Sequence, residues 1–273
     1  MTTTAQPTTT TSPRPLADLF DLTGRVAVLT GGSGLLGQQH ASVLREAGAR
    51  VFNLDLAAPA GEDDLPVDIT DAASVQGALQ TVLARAGRCD IVINNAANNP
   101  RVEDGMKGWS RFENLDVAAW DADLAVGLTG AFLVSQVFGT HLARSGGGVI
   151  VNVCSELGVI APDQRLYRLP GVPDDEQPVK TVTYSVVKAG LIGMTRYLAT
   201  YWADAGVRVN AISPGGVFND QPAEFVAKLS DQVPLGRMAR PDEMRGALAF
   251  LCSDASSYLN GHNLIVDGGR TVW

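Results

Sequence analysis

Apolar positions along the chain fall into short, nearly continuous runs separated by stretches with helical spacing. Arg25–Thr30 (RVAVLT), Arg50–Asp55 (RVFNLD), Asp90–Asn95 (DIVINN), Gly148–Cys154 (GVIVNVC), Val207–Ile212 (VRVNAI) and Asn263–Asp267 (NLIVD) are the runs. Their lack of in/out alternation predicts strands covered on both faces, as in a parallel sheet. Helices are predicted at about Gly34–Ala47, ended by Gly48, and Asp71–Ala86, ended by Gly87. Others are predicted over Val117–Arg144, Tyr184–Ala203 and Pro241–Cys252. The alternation predicts one α/β domain, a doubly wound parallel sheet of about seven strands with helices on both faces. The polar loop from Ala96 to Leu115 is long enough to expect a role at a ligand site.

Composition narrows the picture. The first residues, MTTTAQPTTTTSPRPLAD, are rich in Thr and Pro and bury too little apolar surface to offset their ordering entropy. Residues 1–18 are therefore expected to be a disordered tail, and 19–273 the folded domain. The tail has neither the apolar stretch of a secretory signal nor the arginines of a transit peptide. No run reaches the ~18 apolar residues that would span a bilayer, so no membrane partner is expected. A net charge of −8 disfavours nucleic acid. Cys89, Cys154 and Cys252 lack metal-ligand spacing, so no metal is expected, and a reducing cytoplasm suits them.

Two groups of residues carry candidate chemistry. Thr30–Gly37 (TGGSGLLG) joins the first predicted strand to the first helix. Glycines there let the backbone approach a pyrophosphate, and the helix N-terminus supplies N–H donors. Asp55 ends the next strand, where a carboxylate accepts hydrogen bonds from a ribose and repels a 2′-phosphate. That favours NAD over NADP. Val67-Asp68-Ile69-Thr70 and Asn94-Asn95-Ala96-Ala97 also suit the crevice, though Asp68 to Asp71 equally suit a helix cap. Tyr184 and Lys188 stand four residues apart, on one face of a predicted helix. A phenol beside a fixed ammonium makes a base that works near neutral pH. The pair equally suits a surface helix. Together, the two groups suggest hydride transfer between an alcohol or ketone and a nicotinamide nucleotide.

The chain resembles the short-chain dehydrogenase/reductase family over roughly residues 21 to 273. The resemblance rests on TGGSGLLG, Asp55, VDIT, NNAA, Asn152–Ser155, YSVVK, Ser213-Pro214-Gly215 and the closing VDGG. It implies a Rossmann-like fold with Ser155, Tyr184 and Lys188 as the catalytic residues. It implies cofactor contacts from Gly31, Ser33, Gly34, Leu36, Gly37, Asp55, Asp68, Ile69, Asn95, Ala96, Tyr184, Lys188, Pro214, Gly215, Val217 and Asn219. Asp68 would contact adenine, Asn94 would make a backbone contact, and Val217 would clamp the carboxamide. Lys188 and the oxidised nicotinamide would both lower the pKa of Tyr184. The family also implies a homotetramer or homodimer, built through the Val117–Arg144 and Tyr184 helices and the C-terminal strand.

Four positions depart from the family pattern: Leu35, Ala97, Gly127 and Asn219. Gly127 stands where the family carries a catalytic asparagine. Glycine keeps the helix bend but supplies no amide; water in the gap would leave the chemistry slowed rather than lost. Ser155 and Tyr184 are 29 positions apart, wider than is usual in the family. The extra segment, 159–181, is expected to lid the site, with Gln164, Arg165 and Arg168 joining Glu156 as substrate contacts. An oligomer contact or a solvated loop is the alternative for that segment. The resulting expectation is an NAD-dependent oxidoreductase acting on a secondary alcohol or ketone of a polar, sugar-like small molecule. The alternatives are a catalytically impaired NAD-binding scaffold and an epimerase or dehydratase on the same fold.

Overall fold

The computed structural model describes residues 13–56, 61–98 and 108–273. Seven strands form its sheet: β1 Val26–Thr30, β2 Arg50–Asp55, β3 Asp64–Pro66, β4 Ile91–Asn94, β5 Gly148–Val153, β6 Val207–Pro214 and β7 Asn263–Val266. All neighbours pair in parallel, in the order β3-β2-β1-β4-β5-β6-β7. Because β1 pairs with both β2 and β4, the winding reverses there, opening a crevice beyond the C-terminal strand ends.

Successive β1 side chains enter opposite cores. Val26 and Val28 join Phe52, Phe138 and Leu142 on one face. Ala27 and Leu29 join Leu44, Ile93 and Leu248 on the other. Burial on both faces is why these runs read as continuously apolar. The helices that supply the covering layers include Leu35–Glu46, Ala72–Ala86, Val182–Tyr201 and Arg245–Cys252. Asp71 caps the second by accepting from Ala73 N and Ser74 N at 3.0 and 3.3 Å, and Gly87 ends it at φ 74°.

Four details differ from the sequence expectation. The strands named individually there did not include β3, a three-residue edge strand ending in Pro66, too short for a periodic signal. The helix Ala223–Ser230 was also not expected. The expected tail was too long: a short helix spans Leu16–Phe20, and Arg14 bonds Asp254 at 2.8 Å and the Asp18 carbonyl at 2.9 Å. Residues 1–12 lie outside the described residues. Finally, the helical stretch Val117–Arg144 is long and apolar enough to cross a membrane by length and composition. A count of consecutive apolar residues misses it because Thr129, Ser135 and Gln136 interrupt the run. Its Val134, Phe138 and Leu142 are buried against the sheet, and its backbone loosens into π turns at Ala125–Gly130 and Ser135–Gly139.

Candidate active site

A cleft of about 730 Å³ lies over the C-terminal ends of the central strands. At its floor, Gly31 turns at φ 66°, and a β-carbon there would stand 2.9 Å from Ala96 Cα. A β-carbon on Gly37 would stand 2.2 Å from the Gly31 carbonyl oxygen. A β-carbon at either position would collide with neighbouring backbone, so glycine is required at both. The helix Leu35–Glu46 starts at Gly34 with no side-chain cap, leaving its first N–H groups for a ligand.

The turn is braced from two sides. Asp55 Oδ2 accepts from Ser33 N at 3.0 Å. Asn95 Nδ2 donates to the Thr30 and Gly31 carbonyls, both at 3.0 Å, while Thr30 Oγ1 accepts from Asn95 N and Ala96 N. This shape, an N–H-rich glycine cradle with a carboxylate at its rim, fits a dinucleotide.

The other half of the cleft holds the candidate catalytic side chains. Ser155, just past β5, accepts from Leu157 N at 3.2 Å through its Oγ, and its side chain is hydrogen-bonded to Tyr184. Tyr184 and Lys188 lie one turn apart on the helix Val182–Tyr201. Lys188 Nζ donates to the Val153 carbonyl at 2.8 Å and sits 5.6 Å from the Tyr184 ring centroid. Ser155, Tyr184 and Lys188 all line the same cleft as the glycine turn.

Comparison with known proteins agrees with this geometry. A short chain dehydrogenase family model matches residues 25–167, and one described as Enoyl-(Acyl carrier protein) reductase matches 176–271. The D-threitol dehydrogenase of Mycolicibacterium smegmatis is 36% identical over 93% of this chain and 95% of its own.

The chain belongs to the short-chain dehydrogenase/reductase family.

The NAD-dependent glycerol dehydrogenase of Listeria innocua is 32% identical, over 93% of this chain and 96% of its own. A crystal structure of a gluconate 5-dehydrogenase from Burkholderia cenocepacia, in complex with NADP and tartrate, superposes with a TM-score of 0.80. It is 28% identical and covers 94% of this chain and 99% of its own. This short-chain dehydrogenase/reductase thus shares its fold and oxidoreductase class with an NAD-dependent relative and with one solved in complex with NADP.

Every cofactor-binding candidate named from the sequence except Asn94 lines the cleft, as do Ser155 and Glu156. Several other expectations need correction. Asn94 does not line it: its Nδ2 donates to Ser135 Oγ and Asn152 Oδ1, at 2.9 and 2.8 Å, a buried brace between the sheet and the long helix. Arg165 and Arg168 also lie outside it. Asp163 holds Arg165, whose side chain is 84% exposed, and Asp174 holds Arg168. Each arginine found a nearer carboxylate within its own segment. Gln164 lines a separate cavity and bonds the Lys180 backbone. What the 159–181 segment does bring to the cleft is Leu166, Tyr167 and Lys180. Leu166 and Tyr167 pack with Phe225, Leu229 and Met238, so the segment leans on the helix Ala223–Ser230.

The backbone near Val217 is also held internally. Gln221 Nε2 donates to the Val217 carbonyl and its Oε1 accepts from Asn219 N, at 3.0 and 2.7 Å. Asp68 accepts from Thr70 N and Thr70 Oγ1, and these bonds hold its carboxyl below the usual range.

The electrostatics of Tyr184 differ from expectation. Its ring is half-buried, but its hydroxyl is enclosed, and that burial pushes its pKa up. Ser155 pulls it down, while Glu156 and Cys154 add upward pushes. Lys188 is not among the groups that lower it. Burial also lowers the Lys188 pKa, against an opposing pull from Cys154.

Sequence reasoning missed Lys180 and Arg270, both of which line the cleft. Arg270 forms an ion pair with Glu156, and the two side chains are only 6% and 4% exposed. The only local signal for Arg270 was its place directly after VDGG; for Lys180, it was a cation four residues before Tyr184.

Proposed function

We propose that this chain is an NAD-dependent oxidoreductase acting on a secondary alcohol or ketone of a polar, polyol- or sugar-like molecule. The observation that carries this reading is the convergence of Ser155, Tyr184 and Lys188 on the cleft that the glycine turn and Asp55 also line. A bound nicotinamide supplies the hydride acceptor or donor. Ser155 Oγ donates to the reacting oxygen and fixes its distance from the phenol. Tyr184 accepts the proton of an alcohol or gives one to a ketone. Lys188, anchored on the Val153 carbonyl, holds its ammonium one helical turn from the phenol, where it would grip the nicotinamide ribose.

Asp55 supports NAD. It stands at the end of β2 beside the Ser33 amide, where a 2′-phosphate would meet its charge. The preference is tested by kcat/KM with each cofactor. Asp55→Ala should raise relative NADP use at least about tenfold; a parent enzyme that prefers NADP would end this part of the reading.

A polar substrate is supported by the Glu156–Arg270 pair in the cleft wall and by the threitol and glycerol activities named for relatives. A panel of tetritols, glycerol, aldonates and unsubstituted secondary alcohols, followed by NADH absorbance, tests it. Turnover of only the unsubstituted alcohols would overturn it.

We further propose a homo-oligomer. Phe132 on the long helix and Tyr197 and Tyr201 on the helix Val182–Tyr201 leave large apolar surface exposed, with the two tyrosines stacked. Light scattering that gives a monomer at micromolar concentration would reject it.

A further inference from the structure

Lys180 reaches the reacting phenol more closely than Lys188 does. Its ammonium lies 3.9 Å from the Tyr184 ring centroid, against 5.6 Å for Lys188. The backbone that presents it is held on both sides. The Gln164 side chain grips the Lys180 peptide at two points: Lys180 N donates to Gln164 Oε1 at 2.8 Å, and Gln164 Nε2 donates to the Lys180 carbonyl at 3.2 Å. Gln164 itself sits on a short turn capped by Asp163, which also accepts from Gln232 Nε2 at 2.5 Å. Just before Lys180, Val179 N donates to Ser110 Oγ at 3.0 Å; just after it, Thr183 Oγ1 donates to Asp123 Oδ2 at 2.6 Å. An exposed lysine on a loose loop would not need this bracing.

We propose that Lys180 is a positioning residue that tunes Tyr184, seating a second cation on the ring so that the phenolate forms near neutral pH. A cation within ~6 Å of a ring centroid is attracted to its face. The attraction grows when the hydroxyl ionises, because the phenolate's negative charge spreads into the ring. This assigns the 159–181 segment a part in the chemistry: Gln164, expected to contact substrate, instead holds the residue that tunes the acid–base group.

The groups around Tyr184 leave room for such an effect. From the end of β5 come Ser155, which favours the ionised form, and Cys154 and Glu156, which oppose it. Arg270, from the C-terminal turn, is engaged with Glu156, and Asp267 adds negative charge near that carboxyl. Lys188 lies on the helix that carries Tyr184, and Asp123, on the long helix, is engaged with Thr183. Lys180 is the cation nearest the ring among these groups.

The inference rests on the reading of Tyr184 as the acid–base group, and its test separates the two. Tyr184→Phe tests that reading. For Lys180, the pH profile of kcat/KM for alcohol oxidation is compared among the parent, Lys180→Met, Lys180→Arg and Gln164→Ala. With methionine, the rising limb should move up by about one pH unit and kcat/KM near pH 7 should fall about tenfold, since a cation within ~4–6 Å typically shifts a pKa by that much or more. Arginine should restore the parental limb, and Gln164→Ala should move it part-way. A second readout needs no turnover: the ultraviolet absorbance of tyrosinate, titrated in the protein without substrate or cofactor and with Tyr184→Phe as blank. Tyr184 should ionise at higher pH in Lys180→Met than in the parent. Superimposed profiles and titrations for Met and parent would overturn the proposal. So would a change confined to KM, which would make Lys180 a substrate contact. If Lys180→Met does not fold, Lys180→Gln and the rescue by arginine decide by the same two readouts.

Discussion

Val187 occupies the space that a side chain at position 127 would need. A β-carbon on Gly127 would stand 2.5 Å from Val187 Cγ1. The position of the family's asparagine is thus closed by a branched side chain packed on it from the neighbouring helix. The expectation that water would fill the gap needs correction, because Val187 fills it. Gly127→Asn should destabilise the protein by roughly 1–3 kcal/mol through overpacking. Gly127→Asn with Val187→Ala should recover most of that loss. Thermal or urea unfolding of the double-mutant cycle measures the coupling, and additive effects would contradict the packing argument.

Tyr184→Phe removes the hydroxyl proposed to carry the proton while leaving the ring on which Lys180 sits. Turnover should fall by about 10²–10⁴, while the change in protein fluorescence on binding NAD stays close to the parent's. A phenylalanine variant with parental turnover would exclude Tyr184 from proton transfer.

His40 is fully buried, and burial pushes its pKa down to about 4, with Asn95 opposing weakly. Its folded pKa lies below its unfolded one, so the unfolded chain binds the proton first as pH falls. Stability from this group is intact above about pH 6.5 and is lost progressively toward pH 4. At pH 5 the loss should reach about 2 kcal/mol relative to pH 8. Urea unfolding of the parent and His40→Met at both values tests this; an equal loss in both proteins would assign it to other groups.

Arg270→Met would strand the Glu156 carboxylate in a site that already pushes its pKa up by burial. Removing one partner of a buried pair typically costs about 3–5 kcal/mol. Adding Glu156→Gln should recover part of this. Denaturant midpoints for the single and double variants are the measurement. A single variant as stable as the parent would show that the pair is solvated.

Much of the fold was legible because its signals are local. A strand buried on both faces favours a nearly continuous apolar run, clearest in β1 and β5, and β1, β2 and β5 fall within a residue of the expected limits. Gly31 and Gly37 stood out because the turn admits no β-carbon there. Edge strand β3 was missed because three residues carry no period. The substrate side was misjudged for a different reason. Arg165 and Arg168 have suitable chemistry, but Asp163 and Asp174 lie close enough along the chain to pair with them first.

The amino-acid order alone determined the winding of strand and helix, the glycine cradle, the acid at its rim and the register of Tyr184 with Lys188. Each of these depends on neighbours a few residues away. Tertiary packing decided which cation meets the phenol, what fills the space beside Gly127, and that Arg270 crosses 114 positions to neutralise Glu156. Those outcomes depend on distances through space, and side chains far apart in sequence acquire them only once both faces of the sheet are covered.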